Sequence, residues 1–125
     1  KDSKGNIRTQ NDIYMDGLSV WAAINSKVPR QIKSLLHKNN ISINDIDHFF
    51  FHQASKMTLD SLIKVLKIDK DKVFINLTNK GNTVSASIPI AIQDALQENI
   101  VQRGELLLLS GFGVGMSYAA MLIEY

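Results

Sequence analysis

Three short segments hold the residues best suited to chemistry: His52-Gln53-Ala54, Gly81-Asn82-Thr83 and the glycine-rich Gly111-Phe112-Gly113-Val114-Gly115. An imidazole, a carboxamide and bare backbone amides are all neutral hydrogen-bond donors. Gathered in one pocket, they favour an oxyanion or enolate over an uncharged ground state. Each also has a plainer reading when taken singly. A histidine ending a buried strand is more often structural, and an asparagine after glycine usually serves turn geometry. Only convergence of the three segments makes a site.

Other chemistries find little support. His48 and His52 resemble an i, i+4 pair, but along a strand that spacing is roughly 13 Å. Two such nitrogens cannot share a zinc ion, so no metal is expected. His37 reads as a solvated residue near a helix end. The glycine run leads into a strand pattern, unlike a dinucleotide fingerprint or a phosphate loop. No Gly-x-Ser-x-Gly elbow is present. Cysteine is absent, which excludes disulfides, thiolate metal sites and a cysteine nucleophile within this chain.

The elements that would position these residues alternate in type. Residues 1–13 are polar and read as a loop or severed linker. From Leu18, apolar residues at Trp21, Ala22, Val28, Ile32, Leu35 and Leu36 follow helical spacing, with a kink or break expected near Val28 because of Pro29. Residues 46–52 form a run without alternation, which suggests a strand buried on both faces. Ser55 can cap a helix carrying Leu59, Leu62, Ile63 and Leu66. Residues 73–77 read as a second strand, followed by a turn with positive φ at Gly81. A helix from near Ser85 tolerates Pro89 early in its course. Residues 106–109 form a third strand, and residues 111–115 a tight turn. That turn is too short for a crossover, so residues 117–125 should return antiparallel. The order predicts an α/β fold: a mostly parallel sheet with an antiparallel last strand and helices on both faces. Ligands of such sheets lie outside the carboxyl ends of the strands, where all three segments fall.

A length of 125 residues suits one domain, and 45% hydrophobic with 21% charged residues suits a folded globular one. The net charge of +2, without basic runs, argues against nucleic acid. No apolar stretch reaches the ~20 residues of a membrane span, and no signal peptide is visible, so a cytoplasmic address is expected. The triplets beginning at Asn40 and Asn76 are read as chance glycosylation matches. The lack of an initiating Met suggests a fragment.

Phe51-His52-Gln53-Ala54, then Gly81-Asn82-Thr83 with Ala86-Ser87-Ile88-Pro89, then Gly111-Phe112-Gly113 resemble, in order and spacing, the signature segments of the ketoacyl-ACP synthase III family. The resemblance covers about residue 14 to the C-terminus, and residues 14–125 would be its C-terminal domain. It implies the C-terminal half of a thiolase-like fold. It also implies decarboxylative Claisen condensation of an acyl thioester with malonyl-ACP, in fatty acid or related biosynthesis. In the family, a cysteine from the N-terminal half holds the acyl group. His52 and Asn82 match the pair that binds the malonyl thioester oxygen, for which His52 must present an N–H. The backbone of Gly113 and Val114 would form the acyl-transfer oxyanion hole, although Val114 stands where Gly is usual and narrows the pocket. Gly17, Trp21, Ser55 and Phe112 would line the substrate channel, with Ser55 in place of a common Asn.

Two positions that are often basic are Ala22 and Met57 here, leaving Lys56 and Arg30 as nearby cations for carrier docking. The implied partners are acyl carrier protein or CoA thioesters, the N-terminal half, and a second copy in a homodimer. No cofactor beyond the thioester substrates is implied. A non-decarboxylating acyltransferase on the same fold, or a non-catalytic interaction module, are the alternatives. Without the other half, an apolar face should be exposed and cause self-association.

Overall fold

The computed structural model describes Gly5, Ile7, Thr9, Asn11, Asp12 and residues 14–125, so the loop expected over residues 1–13 lies largely outside the described residues. The first helix, α1, spans Gly17–Lys38 and starts where the Asp16 carboxylate accepts the Ser19 N–H at 3.2 Å. It buries Ile24, Val28, Ile32 and Leu36 along one stripe. It also runs unbroken through Pro29, so that of the kink or break expected near Val28 the break does not occur. Proline removes one donor from the helix interior. The buried stripe on both sides of Pro29 holds the helix together, since packing outweighs local propensity in a helix this long.

Strand β1, His48–Phe51, shows why its sequence lacks alternation. Phe49 and Phe51 enter a core shared with α1 and a second helix, α2 (Lys56–Leu66). Phe50 points the other way, toward Ala91, Ala95 and Leu107. Both faces are covered, so neither can be polar. Helix α2 is capped by Ser55, whose Oγ accepts the Thr58 N–H at 3.2 Å, and it buries Leu59, Leu62 and Leu66. Its Ser61 hydroxyl donates to Asn25 Oδ1 at 2.6 Å, which fixes α2 against α1.

The strand expected over residues 73–77 shrinks to a single parallel bridge between Val73 and Phe49. Asn76 ends it. Its carboxamide donates to Asp94 at 2.8 Å, and its carbonyl accepts the N–H groups of Asn79 and Lys80 at 3.0 Å each. These bonds curl the chain into a single helical turn, α3 (Leu77–Lys80), and Gly81 leaves it at φ +70°. Helix α4 (Ser87–Gln97) follows, with Pro89 in the first turn, where helix amides have no partner within the helix.

Strand β2, Leu106–Gly113, pairs parallel with β1 and antiparallel with β3, Ser117–Glu124, in the order β1-β2-β3. The antiparallel return is as expected. The turn is not: residues 111–113 continue the strand, with Gly111 opposite Ala119 and Gly113 opposite Ser117, and only residues 114–116 turn. Pairing to the hairpin end satisfies backbone groups that a looser glycine loop would leave unmet. Helices α1 and α2 cover one face of the sheet and α4 covers the other.

Candidate active site

His52 follows the last residue of β1, and its N–H continues the ladder to the Ser110 carbonyl at 2.9 Å. The ring stands edge-on to Phe112 with centroids 5.4 Å apart. Nδ1 lies 2.6 Å from Ser87 Oγ, and Ser87 Oγ lies 2.9 Å from the Val84 carbonyl oxygen. Partial burial lowers the His52 pKa from its ordinary value, opposed by the nearby Val84 carbonyl, so the neutral ring is favoured.

Asn82 is brought to the same edge of the sheet. Its Nδ2 approaches the Ala54 carbonyl, two residues past His52, at 3.4 Å. Its Oδ1 accepts the Val84 N–H at 2.9 Å. Val84 has φ +54°, a left-handed conformation costly for a β-branched residue. That conformation, on the short turn Val84–Ala86, presents the Val84 N–H to Asn82 and its carbonyl to Ser87 beside His52. Strained backbone of this kind gathers at functional sites.

The remaining candidates are placed as follows. Phe112 is buried under His52, while Gly113 and Val114 reach the exposed tip of the β2–β3 hairpin. Gly17 and Trp21 lie in the first turns of α1, and Asn25 Nδ2 donates to the Trp21 carbonyl at 2.9 Å. Ser55 is occupied as the α2 cap, and Lys56 beside it pairs with Asp60 at 2.5 Å. Arg30 lies apart, in an open cleft between α1 and β3 with Lys27, Lys38 and Tyr118. His48 is held by Glu105 at 3.2 Å, and His37 is exposed.

Sequence reasoning assigned no role to Ser87 or Gln53. Ser87 is buried against His52, and its only signal was its place in Ala86-Ser87-Ile88-Pro89. Gln53 is buried and donates to the carbonyls of Phe51 and Phe74 at 3.0 and 3.3 Å, which ties β1 to the segment after Val73.

A sheet covered by helices on both faces, with His52 and Asn82 at one edge of it, has the architecture of the C-terminal half of a thiolase-like fold. Residues 36–125 match the family described as "3-Oxoacyl-[acyl-carrier-protein (ACP)] synthase III C terminal", and the chain belongs to that family. It is 38% identical over 94% of its length to the beta-ketoacyl-[acyl-carrier-protein] synthase III of Trichodesmium erythraeum. To that of Pyropia yezoensis it is 36% identical over 92% of its length. It spans 36% of each of these relatives. A crystal structure of a 3-oxoacyl-(acyl-carrier-protein) synthase III superposes over 100% of the chain and 37% of its own, at TM-score 0.92 and 38% identity. The synthase III of Aquifex aeolicus does so over 99% of the chain and 38% of its own, at TM-score 0.86 and 32% identity. Among the described residues, no helix is long and apolar enough to cross a membrane.

Proposed function

We propose that the protein containing this chain catalyses decarboxylative Claisen condensation of an acyl thioester with a malonyl thioester, in fatty acid or related biosynthesis. The observation that carries this reading is that Asn82 Nδ2 reaches the Ala54 carbonyl, two residues past His52, while its Oδ1 holds the N–H of Val84, whose carbonyl accepts from Ser87 Oγ beside His52 Nδ1. Loss of CO₂ breaks the bond to the malonyl carboxylate and leaves an electron pair as an enolate. Two neutral donors on its oxygen stabilise that charge more than they stabilise the ground state. The enolate carbon then attacks the acyl thioester, forming the new C–C bond and releasing a thiolate. The acyl group would be held by a cysteine outside this chain, which has none.

In the same reading, the backbone amides at Gly113 and Val114 serve acyl transfer. Gly17, Trp21, Ser55 and Phe112 border the thioester arm, and Lys56 and Arg30 meet an acidic carrier protein. The carrier is acyl carrier protein or CoA, the assembly a homodimer, and the location the cytoplasm.

The test is malonyl-dependent CO₂ release by the full-length protein. His52→Ala is expected to lower release roughly 10²–10³-fold, as the loss of an oxyanion donor does elsewhere. Acylation of the cysteine should stay largely intact. Equal loss of both half-reactions, or no CO₂ release by the unaltered protein, overturns the reading.

A further inference from the structure

We infer that Ser87 is a positioning residue that sets which ring nitrogen of His52 carries the proton when an acceptor oxygen occupies the pocket. This rests on the enolate-stabilising role proposed above. Ser87 is 2% exposed, at the start of α4, and its hydroxyl has one proton and two acceptors within reach. They are His52 Nδ1 at 2.6 Å and the Val84 carbonyl oxygen at 2.9 Å. The carbonyl already receives the backbone N–H of Ser87, so it does not depend on the hydroxyl.

Two arrangements follow. With no oxygen beside Nε2, Nδ1–H donates to Oγ and Oγ–H donates to the carbonyl. That relay ends on a pure acceptor and leaves Nε2 bare. A thioester oxygen at Nε2 offers a second terminal acceptor, and the relay reverses. Nε2–H then donates to the substrate while Oγ–H turns to Nδ1. The ring gives one proton to water at Nδ1 and regains one at Nε2, so the protein's charge does not change. Only the second arrangement lets a neutral His52 stabilise an enolate. Without the hydroxyl, the Val84 carbonyl is the backbone acceptor left to the His52 ring on this side, and a proton drawn to Nδ1 by it strips the donor from Nε2.

The experiment uses the full-length protein, its Ser87→Ala and Ser87→Thr variants, and ¹⁵N-histidine NMR with a non-hydrolysable malonyl thioester analogue bound. The unaltered protein should show Nε2–H with the analogue, and Ser87→Ala should show Nδ1–H. CO₂ release should fall roughly ten- to hundredfold in Ser87→Ala, approaching loss of one oxyanion donor. Ser87→Thr, which keeps the hydroxyl, should recover most of it. Nδ1–H in the unaltered complex, or Nε2–H retained in Ser87→Ala, overturns the inference. If Ser87→Thr does not fold, the Ser87→Ala spectrum still decides. Absence of CO₂ release from the unaltered protein defeats the proposed function instead, and the ring spectra still decide the role of Ser87.

Discussion

At the scale of single residues, the site depends on a histidine that is partly buried. Burial lowers the His52 pKa from about 6.5, so the unfolded chain binds its proton at a higher pH than the folded one does. The sign follows from linkage. Above about 6.5 both states are neutral at this ring and its contribution is fully present. As pH falls below that value toward the folded pKa, the unfolded state protonates first and stability is lost. Urea unfolding of the chain at about pH 7.5 and about pH 5.5 should show a drop that His52→Gln reduces. An equal drop in both proteins would mean that His52 is not the group responsible. The same residue shows what was legible beforehand. Its place after a buried aromatic strand marked it, whereas its bond to Ser87, 35 positions along the chain, exists only once α4 packs beneath the sheet.

At the scale of elements, hydrophobic pattern and capping residues were reliable wherever one element decided its own fate. The stripe of α2 behind Ser55, the buried run of β1 and the antiparallel return of β3 could all be read in this way. Misreadings arose where a distant partner decided. Asn76 ends its strand through a bond to Asp94, and the helix around Pro29 is held by its packing. Residues 111–113 stay extended because β3 pairs with them. Within that hairpin the glycines should differ. Gly115 has φ +131°, and a Cβ there would lie 2.7 Å from Ser117 Oγ, whereas a Cβ on Gly113 would meet nothing within 4 Å. Gly115→Ala should therefore destabilise the chain by about 1–3 kcal/mol, and Gly113→Ala by clearly less, in denaturant titrations. Matching losses would contradict this account of the turn.

At the scale of the whole molecule, the question is whether a donor pair can act without the surroundings that dry it. The chain spans 36% of the length of its relatives, and it contains no cysteine. Asn82 is exposed, and so are Met57 at 65%, Val84 at 71% and Val114 at 100%, all on segments flanking the site. Apolar side chains so exposed are suited to being covered. Preorganised donors work because they act where water is excluded. In high dielectric the same groups compete with solvent and stabilise a developing charge far less. The isolated chain, given a malonyl thioester, should thus release CO₂ no faster than buffer, even with His52, Ser87 and Asn82 intact. Release well above background, and abolished by His52→Ala, would mean that the half-buried His52 and the exposed Asn82 suffice by themselves. Under the proposed function, residues outside this chain would then be needed only for a nucleophile, and not to exclude water.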